Sequence, residues 1–445
     1  MPKLFGTDGI RGIANEKMTA NLAFNLGKAF GIILNETSIH KKVLIGRDTR
    51  ISGQMLSSAF CAGLNSVGFS ALIVGVLPTP ATSYLTKILD VDGGVMITAS
   101  HNPAEYNGIK FYDSLGNKLD KNTQNKIEEL ITNLDSFLYC PPHEVGTQEY
   151  NEDLTKLWVD HIIKTSQIKS LNGLKIALDT ANGASFAVAP YIFKKLNAKT
   201  FIYNDSDDGK LINLNCGSQH TEKFIENCIK NDVDFGFSFD GDADRVIAVG
   251  KNGKVFDGTD LMFIFANYLK SKNQLNSNTV VSTIVTNCGL ENSLQKDDIT
   301  LIRTNVGGIY IQTKMQELSL SLGGEENGHI MLSEFGAESD GISTALFLLK
   351  IAIDENFSIE DTLSNLTRTL VKNSDIPVSE RQKQLVESGE LQDFVTELEK
   401  DLDNSGRIVV RTSGTEPLVR ILVEGEDEEK LENLNHILAQ KVKNL

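Results

Sequence analysis

One arrangement recurs three times along this chain. VLIGRDTR (43–50), KIALDTANGA (175–184) and TVVSTIVTNCG (279–289) each run from an apolar strand into a polar, small-residue turn, and a helix-sized segment follows. A second strand comes next: FSALIVG (69–75), AKTFIYN (198–204) and DITLIRT (298–304). After another helix-sized gap comes a third: GGVMITAS (93–100), VDFGFSFD (233–240) and LSLGGEE (320–326). Strand-length apolar runs alternating with helix-length periodic stretches predict α/β layers, and the recurrence predicts three β-α-β-α-β units. With 445 residues the chain is too long for one core. The expected fold class is therefore α/β: three similar β-α-β-α-β domains with mixed sheets, plus a smaller C-terminal α+β domain. The expected limits are 1–150, 151–252, 253–368 and 369–445.

Local signals fill in this plan. Leu22, Leu26, Phe30 and Ile33 share one face of a helix expected over 19–34. Asp-Gly and Asn-Gly turn signals mark 204–216 and 251–258 as loops. The last domain carries a strand within GRIVVRTSGTEPLVRILVEG (406–425) and a closing helix with Leu431, Leu434, Leu438 and Val442 on one face. The polar stretch 372–392 reads as a boundary region.

Open α/β sheets bind ligands beyond the carboxyl ends of their strands. The third strand of each unit ends on a conspicuous polar residue: Ser100, Asp240, then Glu325. Three such endings in register predict one site shared by three domains.

The sharpest chemical signal is DGDADR (240–245). In extended or loop backbone, Asp240, Asp242 and Asp244 project to one side, and Gly241 and Ala243 allow close approach. Three like charges so close repel unless a cation sits among them, and hard carboxylate oxygens suit Mg²⁺. An EF-hand would need Gly and Glu where Arg245 and Lys251 stand, so that loop type is excluded. The bland alternative is a solvated acidic turn, which the apolar strand FGFSF ahead of it disfavours. Arg245 then reads as a phosphate contact beside the metal.

Ser100, in ITASHNP (97–103), lacks a G-x-S-x-G elbow, and Pro103 forbids an ordinary helix through the turn. A phosphorylated serine, with three acceptor oxygens and a charge near −2, would complete the coordination of Mg²⁺ and act as a phosphoryl carrier. Arg11, Arg47 and Arg50 are candidates to orient that phosphate, and Lys110 or His101 to move the substrate hydroxyl's proton. GGEENGH (323–329) displays Glu325, Asn327 and His329, a set able to fork onto vicinal hydroxyls. In RTSGTEPLVR (411–420), Ser413, Gly414 and Thr415 flanked by Arg411 and Arg420 have the make-up of an anion nest. No G-K-[ST] follows, so a nucleotide triphosphate is unsupported. A surface hairpin with incidental arginines is the alternative. His40, His143, His161, His220 and His436 form no paired-ligand spacing.

A net charge of −16 without a basic stripe argues against nucleic acid or an anionic membrane as partner. No apolar stretch approaches the roughly 20 residues of a membrane helix, and the first residues lack a signal peptide's apolar core. Cys61, Cys140, Cys216, Cys228 and Cys288 are an odd, scattered set that fits reduced cytosol.

In order along the chain, TASHNP with N-x-G-I-K-F, DGD-x-DR, GGE-x-x-GH and R-x-SGTEP resemble the α-phosphohexomutase superfamily. FGTDGIRG (5–12), GRDTRISG (46–53), INLNCGSQH (212–220) and VEGEDEE (423–429) extend the resemblance over nearly the whole length. FGTDGIRG and the length favour its glucosamine branch over the phosphomannomutase and phosphoglucomutase branches. The resemblance implies four domains around a central cleft and interconversion of glucosamine 6-phosphate and glucosamine 1-phosphate, on the route to UDP-N-acetylglucosamine. It implies Ser100 as phosphoserine, Asp240, Asp242 and Asp244 with a Ser100 phosphate oxygen as Mg²⁺ ligands, and Lys110 and His101 in proton transfer. It further implies Glu325 as the hydroxyl-binding carboxylate, and Arg411, Ser413, Gly414, Thr415 and Arg420 as a distal phosphate site. A hexosamine or hexose 1,6-bisphosphate activator, a cytoplasmic location and a homodimer follow from the same likeness. Three departures from the family pattern stand out. Val306-Gly307-Gly308-Ile309-Tyr310-Ile311 stands where VGDRYV is usual, Asn327 where a serine is usual, and Ala243 where a glycine is common. The rival readings are the same chemistry on mannose or glucose phosphates, a metal-dependent sugar phosphatase, and a sugar-phosphate sensor without turnover.

Overall fold

The computed structural model describes residues 4–133, 139–402, 406–413 and 417–445. All nine strands of the repeated units form. They are Lys42–Arg47, Ser70–Val76 and Gly93–Ile97 in the first unit, and Lys175–Asp179, Lys199–Tyr203 and Phe235–Phe239 in the second. The third unit has Thr279–Thr283, Thr300–Thr304 and Leu322–Gly324. In every unit the first strand lies in the middle, parallel to both others. Parallel neighbours require crossovers, and each unit supplies two helices for them. These are Ser52–Asn65 and Thr79–Ile88, then Val188–Lys195 and Glu222–Lys230, then Cys288–Lys296 and Gly308–Glu317.

Each unit also has a strand that the three-strand reading lacks. Tyr106–Asp113, Val246–Gly250 and Ile330–Leu332 run antiparallel to the third strands of their units. The sheets are therefore mixed, and the polar endings at Ser100, Asp240 and Glu325 are hairpin tips. Ile10–Ile13 and Gln148–Tyr150 bring the first sheet to six strands. Val255–Phe256 adds an edge to the second and carries it past the expected limit at residue 252.

One apolar core runs through all three units, joining Leu44 and Val74, Trp158 and Phe237, and Phe265 and Phe347. The helices Gly258–Ser271 and Gly341–Ala352 are buried on nearly every face within it, as a helix apolar all round must be. The first helix, Ala20–Leu34, begins where expected, because the Thr19 hydroxyl accepts from the Leu22 N–H at 3.1 Å.

The C-terminal part has its own core, built from Ile376, Val419, Ile421, Val423 and the Leu431, Leu434, Leu438, Val442 face of Glu428–Lys443. Two expectations need correction here. The stretch 406–425 is two antiparallel strands, Arg407–Thr412 and Leu418–Gly425. The stretch 372–392 is no linker: Leu370–Pro377 pairs along the whole of Leu418–Gly425, and the helix Glu380–Glu387 follows. Its polarity comes from its place at the sheet edge, where most side chains face solvent.

Candidate active site

Ser100 sits fully buried at its hairpin tip with φ +51°, a left-handed conformation that costs a non-glycine residue about 1–2 kcal/mol. The surroundings hold it there. Its N–H donates to Thr98 Oγ1 (2.9 Å), and that hydroxyl donates to Asp48 Oδ2 (2.7 Å). Asp48 is also paired with Arg50 at 2.9 Å, both side chains being wholly buried. The Arg50 guanidinium in turn donates to the carbonyls of Ser100, Asn102, Pro103 and Tyr106. Asn213, from the neighbouring unit, donates to the Ser100 and Asn102 carbonyls at 2.8 and 3.0 Å. Arg50 is thus spent on the loop's backbone and is not placed to orient a phosphate. Arg47 lies aside, donating to the Asp48 carbonyl at 3.0 Å.

Across the unit boundary, Ser100 Oγ donates to Asp240 Oδ2 at 2.6 Å. Asp240, Asp242 and Asp244 are all buried, with one carboxylate oxygen of each within 4.8 Å of the others. Gly241 makes this approach feasible, since a Cβ there would stand 2.6 Å from the Ser100 carbonyl oxygen. Ala243 adopts φ +57°, so its place in the loop is one that glycine would fill without strain. Neighbouring segments fix the loop: Thr79 N–H donates to the Asp242 carbonyl (2.9 Å), Ala184 N–H to Gly241 (2.8 Å) and Gly341 N–H to Ala243 (3.0 Å).

The electrostatics fit a cation. Burial pushes the Asp240 carboxyl well above its ordinary range, and repulsion from Asp244 and Asp242 adds to this. For Asp244, burial acts in the same direction, but Lys110, His329 and Arg245 outweigh it and hold the carboxyl low. Asp242 Oδ1 and Asp244 Oδ1 are buried without a hydrogen bond among the described residues. Three buried carboxylates, two of them with an unused hard oxygen, beside a serine hydroxyl are a donor set suited to a divalent cation.

Lys110 lies behind this triplet, 2% exposed, 2.9 Å from Asp242, 2.7 Å from Asp244 and 3.0 Å from Asp8. Burial opposes its charge, yet the three aspartates raise its pKa well above the ordinary lysine value. His101 is the opposite case. Burial lowers its pKa to about 3, with Arg245 and Arg11 adding to the effect, so the ring is neutral at pH 7. Its Nδ1 is 3.3 Å from Ser100 Oγ.

A cavity of about 260 Å³ opens in front of these groups, and His101, Arg11, Arg245, Glu325, Asn327 and His329 all line it. Arg11 is anchored to Asp8 at 2.6 Å and reaches the Ala99 carbonyl and Asn102 at 3.4 Å. The Arg245 guanidinium is 3.8 Å from Asp244. The His329 ring lies 3.6 Å from Glu325 and 3.9 Å from Asp244. The Asn327 side chain accepts from the His329 N–H at 3.1 Å.

Arg411 and Arg420 face each other across the C-terminal hairpin and line a second cavity of about 260 Å³ with Asp375 and Glu326. Mutual repulsion adds to burial in lowering the Arg411 pKa, an arrangement an anion would relieve. Ser413 is buried beside this pair, while Gly414 and Thr415 lie outside the described residues.

The sequence reading missed Asp8, Asp48, Thr98, Lys118, Asn213 and Glu338. Asp8 and Asp48 lay in plain view, inside the same GTDGIRG and GRDTR turns singled out for their arginines.

Sequence models of phosphoglucomutase/phosphomannomutase α/β/α domains I, II and III match residues 2–137, 148–253 and 257–370, and that of the C-terminal domain matches 375–441. A phosphoglucosamine mutase of Clostridium botulinum is 41% identical over 451 aligned residues, covering 100% of this chain and 99% of the relative. One from Clostridium tetani is 39% identical, covering 99% of each. A solved structure of a phosphoglucomutase/phosphomannomutase family protein from Burkholderia thailandensis superposes with a TM-score of 0.82 at 22% identity, over 98% of this chain and 97% of that one. Four domain matches in order, full-length relatives and a cleft that brings the serine loop onto an aspartate triplet agree: the chain belongs to the phosphoglucomutase/phosphomannomutase family.

Proposed function

We propose that this protein interconverts glucosamine 6-phosphate and glucosamine 1-phosphate through phosphorylated Ser100 and a bisphosphorylated sugar. The observation that carries this reading is the 2.6 Å contact between Ser100 Oγ and Asp240 Oδ2 inside a buried aspartate triplet. The names of the full-length relatives support glucosamine phosphates over mannose or glucose phosphates as substrate.

Asp240, Asp242 and Asp244 would hold Mg²⁺ together with an oxygen of the serine phosphate. The ion supplies neutralisation of the charge that develops on the transferring phosphoryl group. The rest falls to the chain's own residues. A sugar hydroxyl attacks the phosphorus of phosphorylated Ser100, forming one P–O bond as the bond to Oγ breaks. Neutral His101 is placed to take the hydroxyl's proton, while Lys110, held protonated, keeps positive charge beside the aspartates. Arg245 and Arg11 offer donors to the phosphate, and Glu325 and His329 to the ring hydroxyls. The bisphosphate then turns round, and its other phosphate returns to Ser100. Arg411, Ser413 and Arg420, with Gly414 and Thr415, would grip whichever phosphate is not reacting. A hexosamine or hexose 1,6-bisphosphate would first load Ser100.

A homodimer working in the cytosol completes the proposal. Among the described residues, no helix is long and apolar enough to cross a membrane.

A coupled assay with glucosamine 6-phosphate and a trace of glucose 1,6-bisphosphate tests the reading, with glucose and mannose 6-phosphates as rivals. We expect isomerisation fastest on the glucosamine substrate, one phosphate on the intact protein, and loss of both with Ser100→Ala. Steady release of inorganic phosphate, or full activity in Ser100→Ala, would sink it.

A further inference from the structure

Lys118 is a charged residue of the cleft that no recognised motif explains. It follows the strand Tyr106–Asp113, and its ammonium lies 2.8 Å from Asp8 Oδ1 and 3.1 Å from Glu338 Oε1, on two different units. The side chain is 7% exposed, yet it lines the same cavity as His101, Arg245, Glu325 and His329. Burial works against its charge, but Asp8 and Glu338 outweigh burial and keep it protonated. An ammonium has three N–H donors, and these two carboxylates engage two.

Gly308 faces this ammonium. A Cβ there would stand 3.3 Å from Lys118 Nζ and 2.5 Å from His329 Cε1. This is the position where the family resemblance leads one to expect an acid, followed by an arginine where Ile309 is buried. A carboxylate at 308 would take the remaining donor of Lys118 and crowd the His329 ring. Glycine leaves both free toward the cavity. The altered 306–311 loop and Lys118 therefore form one device. The loop has given up its own charged pair, and a lysine from the first unit presents positive charge at the same wall.

We propose that Lys118 is a substrate-contacting, specificity-determining residue: its third N–H donates to a ring hydroxyl of the bound sugar phosphate, through the gap left by Gly308. Glucosamine's own ammonium would repel Lys118, so the oxygen it contacts is not at the amine-bearing carbon. The inference rests on the sugar-phosphate reading of the cleft.

Kinetics and calorimetric binding of glucosamine 6-phosphate to wild type, Lys118→Met, Lys118→Arg and Gly308→Asp test it. A hydrogen bond from a charged donor predicts that Lys118→Met weakens binding and raises KM about 10-fold or more, with kcat within about 3-fold. Lys118→Arg should recover most of this. One deoxy-sugar phosphate should lose its sensitivity to Lys118→Met, because the contacted oxygen is already gone. Gly308→Asp leaves the Asp8 and Glu338 pairs in place and should weaken binding too; because its side chain also crowds His329, the loss is assigned to Lys118 by adding Lys118→Arg in the Gly308→Asp background, where the exchange should have no further effect. Unchanged binding in Gly308→Asp would overturn the proposal. So would an equal loss by Lys118→Met on every deoxy analogue. If wild type binds sugar phosphates but turns none over, the mutase reading fails while the binding series still decides the role of Lys118.

Discussion

The Ser100 loop and the 325–329 loop occupy equivalent places in two copies of one unit, each joining a third strand to its antiparallel return. They are built to different standards. Ser100 is fixed by a chain of buried groups, Thr98, Asp48 and Arg50, and by Asn213 from the next unit. At the other loop, Glu325 and His329 approach at 3.6 Å, His329 Nδ1 has no hydrogen bond among the described residues, and Asn327 is exposed. The facing segment offers Val306, Gly307 and Gly308, none of them polar in its side chain. Phosphoryl transfer needs one geometry whatever the sugar, so its loop is over-determined. A wall whose contacts a ligand would complete tolerates change. The departures from the family pattern obey this division: the one in the aspartate loop, Ala243, costs a little strain, while those lining the cavity exchange whole functional groups.

The most damaging break in the stronger loop is Arg50→Met. It strands the buried Asp48 carboxylate and frees four loop carbonyls from their donor. Loss of one partner of a buried pair costs about 3–5 kcal/mol. We expect a clear drop in the urea midpoint of the first unfolding step and loss of turnover. A comparable variant elsewhere in the third unit, Arg303→Met, should cost less, because its Glu291 partner is 42% exposed. Equal losses would dissolve the contrast.

Thr98→Val comes next. It deletes the acceptor for the Ser100 N–H and a donor to Asp48, worth about 1–3 kcal/mol in a buried setting. Because Ser100 then relaxes from its left-handed conformation, kcat should fall roughly 10-fold with KM little changed. A change confined to KM would show that this lattice serves binding and not placement of the serine.

Asp340 tests how the third unit props the metal loop. Its carboxylate caps Gly341–Ala352, accepting from Ile342 and Ser343, and burial raises its pKa to about 6. A carboxyl raised on folding binds its proton more tightly in the native state, so its contribution falls as pH rises from about 4 through 6. Asn keeps the acceptor without the charge. Stability of wild type relative to Asp340→Asn should therefore decline by roughly 1–1.5 kcal/mol between pH 5 and pH 7.5. A difference independent of pH would mean that the group does not titrate there.

The same contrast governed what could be read in advance. Most of the nine strands were legible as compact apolar runs and Leu322–Gly324 by its place in the repeat, and Ser100, Asp240 and Glu325 because each follows a third strand. The returns Val246–Gly250 and Ile330–Leu332 were missed because they follow the tips without a helix between, so a search for strand–helix steps passes over them. Leu370–Pro377 was missed as an edge strand with mostly exposed side chains. Asp48, Thr98 and Asn213 are ordinary polar residues until chain closure brings partners 50 or 113 residues away against them. No local pattern marks such pairs. The arginines were noticed for their charge, and the structure divides them by partner: Arg50 to backbone, Arg245 and Arg11 to the cavity.

The mildest probe lies at Asn327, where the family resemblance expects serine. Its side-chain oxygen accepts from the His329 N–H at 3.1 Å, which orients the tip from which His329 and Glu325 line the cavity. A serine hydroxyl is shorter but can accept from the same N–H, as in the turns that both residues cap. The residue is exposed, so no buried group is left unpaired by the exchange. Asn327→Ser should thus shift stability by less than about 0.5 kcal/mol and leave phosphorylation of Ser100 intact. If the amide reaches the sugar, the ratio of kcat/KM for glucosamine 6-phosphate over glucose 6-phosphate will move by about 2- to 5-fold, within the range of one exposed polar contact. An unmoved ratio would confine Asn327 to holding the turn and leave discrimination on this wall to Glu325, His329 and the lysine that faces Gly308.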